Sequence, residues 1–92
     1  SVIKHSIVGL SKYFSSKFAP HGVRVNLLAP GGVWNDKLTN AFVNQLTELI
    51  PMGRMGVQSD YKGAIQFLCS DASSYMTGAN LVVDGGRTTG TV

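Results

Sequence analysis

The run Val23 to Gly32, Val-Arg-Val-Asn-Leu-Leu-Ala-Pro-Gly-Gly, constrains the fold most. Val23 to Ala29 reads as a strand. Its apolar residues do not alternate cleanly, which is the pattern of a strand covered on both faces. Pro30-Gly31-Gly32 ends it abruptly. In an open α/β sheet, ligands bind beyond the carboxyl ends of the strands. A corner with so little side-chain bulk would let a flat ligand ring lie against backbone.

The segments around it complete an α/β unit. Residues 1 to 18 read as a helix, because Ile3, Ile7, Leu10, Phe14 and Phe18 form one apolar stripe that Val2, Val8 and Tyr13 widen. Such a helix is expected to pack on two neighbours. Pro20 and Gly22 stop it. Residues 36 to 49 form a second helical pattern, with Leu38, Phe42, Leu46 and Leu49 on one face and Asp36 in the first turn. A third spans about Asp60 to Cys69, with Ser59 as N-cap and Tyr61, Ala64, Ile65 and Leu68 buried. Asp71 to Gly78 is a turn-rich connection, Asn80 to Asp84 a short strand, and the tail from Arg87 is expected to fray. Helical crossovers between two strands predict a parallel pair with right-handed connections. Two strands do not make a stable sheet, so the rest of the sheet is expected from elsewhere.

Composition narrows the class. Ninety-two residues suit one domain near the lower end of comfortable core size. Only 14% are charged against 43% hydrophobic, so much of the surface expects cover from further sequence or partner subunits. The net charge is +3, but the basic residues are dispersed, unlike a nucleic-acid footprint. Cys69 is the single cysteine, which suits a reducing, cytoplasmic setting. No apolar run approaches the roughly 20 residues of a membrane helix. The start lacks an initiator Met and does not read as a signal peptide, as expected of an internal or processed start.

Four segments carry a family resemblance. Lys4 precedes Val8-Gly9-Leu10 in the first helix. Val23 to Val33 contains Arg-Val-Asn-x-x-x-Pro-Gly. Pro51-Met52-Gly53-Arg54-Met55-Gly56 matches Pro-x-Gly-Arg-x-Gly. Ser70 to Gly78 is followed by Val82-Val83-Asp84-Gly85-Gly86. In this order and spacing they resemble the C-terminal half of the short-chain dehydrogenases/reductases. The resemblance implies a portion of one Rossmann-like, doubly wound parallel sheet, with two strands and three helices here and no separate second domain.

It also implies functional residues. The family's catalytic pair is Tyr-x-x-x-Lys, so Lys4 would be the catalytic lysine, with the tyrosine immediately before Ser1. Residues four apart share a helix face. A unit charge about 4 Å away at an effective dielectric near 20 is worth roughly 4 kcal/mol. That is about three pKa units, enough to bring a phenol towards 7. The family lysine also hydrogen-bonds the nicotinamide ribose of NAD or NADP. Pro30, Gly31, Gly32 and Val33 resemble the loop whose Val backbone pairs with the nicotinamide carboxamide. Asn35 stands where the family often has threonine and retains a donor amide. Trp34 either shapes the substrate pocket or packs under the following helix. Read without the resemblance, Lys4 is a solvated lysine in a first turn.

The remaining polar residues take structural readings. Asn26 is expected to hydrogen-bond a neighbouring loop, Asp71 and Thr77 to satisfy turn backbone groups, and Cys69 to be a small buried hydrophobe. His5 is expected on the helix surface or at an interface and His21 in an exposed turn. The resemblance implies an oxidoreductase moving a hydride between nicotinamide and a carbonyl or secondary alcohol, as in acyl-carrier-protein reductases or sugar and polyol dehydrogenases. It further implies a homodimer or homotetramer, a small-molecule carbonyl or alcohol substrate, and neither nucleic acid, membrane nor metal. The phosphate-binding turn, the serine and the tyrosine would lie in a missing N-terminal half, so the 92-residue chain is expected to be inactive alone. The alternative is a truncated, non-catalytic oligomerisation module.

Overall fold

The structure is a computed structural model that describes residues 2 to 89. Three α-helices and two strands follow in the order α1 (Val2–Phe18), β1 (Leu27–Pro30), α2 (Asn40–Glu48), α3 (Ser59–Leu68) and β2 (Asn80–Val83). β1 and β2 pair in parallel. The chain divides into two compact units. One runs through Leu28 and adds Ile65–Leu81. The other is Ala29–Ala64 with the chain from Val82.

In the first unit, α1 stops at a 3₁₀ turn, Ala19–His21, and Gly22 takes a left-handed φ of 75°. Glycine adopts that conformation without the cost a Cβ imposes. The strand pattern from Val23 is only partly realised. Leu27 N–H donates to Ala79 O at 2.8 Å, but upstream the backbone is held by side chains as well. Val25 N–H donates to Thr77 Oγ1 at 3.1 Å. Asn26 donates through Nδ2 to Met76 O and accepts from Ala79 N–H through Oδ1, both at 3.0 Å. An asparagine here substitutes for two ladder partners, so β1 begins at Leu27 and not at Val23. Arg24 binds the carbonyls of Ser73 (2.8 Å), Met76 (3.1 Å), Leu68 (3.1 Å) and Ser70 (3.4 Å). These are the end of α3 and the turn after it. Ser70, not Asp71, caps that turn, accepting from Ala72 N–H.

In the second unit, Gly31 N–H donates to Val83 O at 3.1 Å, which carries the ladder past Pro30. The expected helix from residue 36 starts later. Asn35 Oδ1 takes Lys37 N–H at 2.9 Å, and Thr39 Oγ1 caps α2 through Phe42 N–H at 3.2 Å. Asp36 therefore precedes the helix, because a local side-chain turn outcompetes it there. Ser59 lies inside α3 and is not its N-cap. Asp60 Oδ2 accepts Val57 N–H at 2.8 Å and fixes the approach to the helix. β2 ends at Val83, because Asp84 folds its carboxylate onto Gly86 N–H, Thr88 N–H and Thr88 Oγ1. The stretch expected to fray is therefore a held turn as far as Thr89, whose N–H donates to Gly86 O at 2.9 Å. The rest of that tail, residues 90 to 92, lies outside the described residues, as does Ser1 at the expected helix start.

Burial departs most from expectation. Among the described residues the buried hydrophobic ones are Ile50, Met55 and Tyr61. The stripe of α1 exists but is uncovered, with Ile3 72% and Leu10 52% exposed. Ile65 and Phe42 are exposed, and β1 is only half-buried. Cys69 is exposed as well, on an open concavity with Leu28, Ile65 and Leu68. Periodicity places these residues on common faces. Cover requires a second surface, which the described residues do not supply.

Candidate functional site

Pro30 to Asn35 are brought together in the second unit, on the loop that leaves β1. Its backbone is pinned from one side. Gly56 N–H donates to Gly32 O at 2.9 Å, and Trp34 N–H donates to Gly56 O at 2.8 Å, so Val33 and Gly56 form a parallel bridge. In such a bridge the flanking residues bond the partner, while the bridged residue directs its own N–H and C=O to the opposite edge. Val33 thus presents one donor and one acceptor, side by side, away from Gly56. The two groups are fixed in a ladder geometry before any ligand arrives.

The two glycines also have a packing reason inside the unit. A Cβ on Gly31 would stand 2.8 Å from Asp84 Cβ, and one on Gly32 would stand 2.7 Å from Leu46 Cδ2. Both positions are closed by the unit's own packing. Gly31 meets the Cα and Cβ of Asp84, which cannot yield without backbone movement, whereas Gly32 meets the ends of the Leu46 and Met55 side chains.

Asn35 uses its side-chain oxygen on Lys37 N–H, which fixes the amide and leaves Nδ2 as its donor end. Trp34 is 49% exposed and lines an open groove with Asn35, Asp36, Val57, Gln58 and Lys62. Beneath the loop lies a cavity of about 170 Å³ lined by Gly32, Arg54, Gly56, Asp60, Tyr61 and Asp84, among others.

Two carboxylates shape the electrostatics. Asp60 pairs with Arg54 in a two-pronged contact of 2.8 and 3.0 Å. The Arg54 hydrogen bonds and the Val57 N–H hold its carboxyl down to about 2. For Asp84, desolvation pushes the carboxyl up, but hydrogen bonds from Thr88 and from backbone amides outweigh it, and the net direction is downward. Arg54 is raised by Asp60, through their hydrogen bonds first and then their charge.

Lys4 belongs to the first unit, in the first turns of α1, and is exposed. His5 beside it is exposed on the same helix. The described residues contain no cluster of three or more His, Cys, Asp or Glu able to hold a metal. None of their helices is long and apolar enough to cross a membrane. Sequence reading missed the carbonyl-binding role of Arg24 and the bracing of Gly56. An arginine inside an apolar strand was a signal for the first; the second depends on a contact that no spacing reveals.

A family model described as "Enoyl-(Acyl carrier protein) reductase" matches residues 1 to 88. Protein FixR of Bradyrhizobium diazoefficiens is 38% identical over 91% of this chain and 30% of its own length. Dehydrogenase/reductase SDR family member 4 of Mus musculus is 36% identical over 94% of this chain and 33% of its own. Among solved structures, a short-chain dehydrogenase from Leptospira borgpetersenii with bound NAD+ superposes with a TM-score of 0.87 at 41% identity, over 92% of this chain and 33% of that one. 4-Hydroxyisoleucine dehydrogenase complexed with NADH gives 0.87 at 29% identity, over 96% and 38%. The chain therefore spans about a third of the length of these relatives. With the loop geometry, the paired glycines and a match that runs from the first helix to the Asp84 turn, the chain belongs to the short-chain dehydrogenase/reductase family.

Proposed function

We propose that this chain is the C-terminal portion of a single NAD(P)-binding domain, and that its protein is a nicotinamide-dependent oxidoreductase acting on a carbonyl or secondary alcohol. The observation that carries the reading is the Val33 edge. A carboxamide has one donor and one acceptor face, and a bridged residue offers their complement in fixed geometry. Two solved relatives, the Leptospira borgpetersenii short-chain dehydrogenase with bound NAD+ and 4-hydroxyisoleucine dehydrogenase complexed with NADH, support a nicotinamide cofactor.

When bound, the nicotinamide supplies or takes up the hydride. The chain's own residues bind and orient. Val33 sets which face of the ring meets the substrate, Asn35 Nδ2 adds a donor, and Trp34 borders the substrate side. Lys4 holds a positive charge one helical turn from a tyrosine at the preceding family position and hydrogen-bonds the ribose. That charge lowers the phenol's pKa and readies it to pass a proton at the reacting oxygen. The exposed stripe of α1 supports a helical interface between subunits of a dimer or tetramer.

The test is Lys4→Met in the full-length protein. Turnover is expected to fall about 10²- to 10⁴-fold, the range of general acid–base contributions, with an unchanged far-ultraviolet circular dichroism spectrum. Wild-type rates would assign Lys4 to the surface only.

A further inference from the structure

We propose that Gly56 and Tyr61 are positioning residues that set the height of the nicotinamide-reading edge at Val33. The proposal rests on the reading of Val33 above and adds what holds that edge in place. Gly56 uses both its N–H and its C=O on the neighbours of Val33, at 2.9 and 2.8 Å. Wherever Gly56 stands, the donor and acceptor of Val33 stand with it.

Gly56 is braced from behind. Tyr61 is buried, and its phenol closes the space a side chain at position 56 would need. A Cβ there would overlap Tyr61 Oη and stand 2.9 Å from Cζ and 3.2 Å from Cε2. Tyr61 itself has little freedom to retreat, being in the first turn of α3. Asp60, its neighbour, ties that turn to the segment around Gly56. It accepts Val57 N–H at 2.8 Å and grips Arg54, whose Nη1 also donates to Met55 O at 3.3 Å. The start of α3 thus supports Gly56, and Gly56 supports Val33. Hydrogen bonds weaken steeply as geometry is lost, so a small displacement of Gly56 is felt at the Val33 edge. None of these residues needs to touch the cofactor.

A brace for one edge has a selective signature. It affects the nicotinamide end of the cofactor and not the ADP-ribose end. The experiment measures dissociation constants of NADH (or NADPH, whichever the wild type binds) and of ADP-ribose or its 2′-phosphate, by calorimetry on the full-length protein. Gly56→Ala is expected to weaken the dinucleotide about tenfold, as for loss of one net hydrogen bond, with ADP-ribose changed less than about twofold. Adding Tyr61→Leu removes all three clashing atoms and is expected to restore most of the loss. Asp60→Ala, which unties the same segment without a clash, is expected to cost about threefold with the same selectivity, and serves if Gly56→Ala does not fold. Equal losses on both ligands, no loss, or a double variant no better than the single one would overturn the proposal. A wild type that binds the dinucleotide no more tightly than ADP-ribose would instead overturn the Val33 reading, and the positioning role with it.

Discussion

Arg24 donates to four main-chain carbonyls. Those carbonyls belong to the end of α3 and to the turn behind it, where a helix leaves acceptors without internal partners. A planar guanidinium has five donors and suits the task; an ammonium does not. Arg24→Met is expected to lower stability by about 2–3 kcal/mol, since hydrogen bonds to charged groups are worth more than neutral ones and the orphaned carbonyls are partly buried. Urea unfolding monitored by circular dichroism checks it, and a change below about 0.5 kcal/mol would mean that water replaces the guanidinium without loss. The sequence marks Arg24 only as a charge in an apolar run. Asn26 is more legible, because a polar amide within a strand needs partners, and it has them in Met76 and Ala79.

At the scale of elements, the turn leading into α3 depends on the ionised carboxylate of Asp60. Asp60 titrates at about 2 in the folded chain, against about 3.9 when unfolded. A depressed carboxyl contributes stability that is present above the unfolded value and lost as pH falls through the folded one. Asp84 is shifted in the same direction, so its contribution is lost in the same sense. The Asp60 contribution is therefore expected to be fully present above about pH 5 and to be lost between about 4 and 2. Asp60→Asn should flatten part of that decline, seen as a smaller change in urea midpoint between pH 7 and pH 3. An equal acid sensitivity in both proteins would place the titration elsewhere. Element boundaries follow the same local chemistry. α2 begins at Thr39's cap because Asn35 has already turned the chain onto Lys37. Apolar spacing sees the face of a helix but not the hydrogen bond that starts it.

Over the whole molecule, the quantity that stands out is apolar surface left in contact with water. Ile3, Ile7, Leu10, Tyr13, Phe42 and Ile65 are all exposed, while only three hydrophobic residues are buried among the described residues. The 92-residue chain on its own is expected to bind the dye ANS and to associate with rising concentration. Sedimentation velocity across a tenfold concentration range checks this, and a dye-silent monomer would show that the faces are covered in another way. No NAD(P)H-dependent carbonyl reduction is expected of it in that form; turnover above background would sink the half-site reading. The sequence by itself determined the α/β class, the helical faces and the family, because these depend on periodicity and on motifs a few residues long. Tertiary structure decided which faces are covered and why a side chain at Gly31 would meet Asp84. It also decided that Arg24 is a clamp and that Val33 is held against Gly56. Each of those depends on atoms that distant parts of the chain bring within a few ångströms, and spacing along the chain carries no record of such distances.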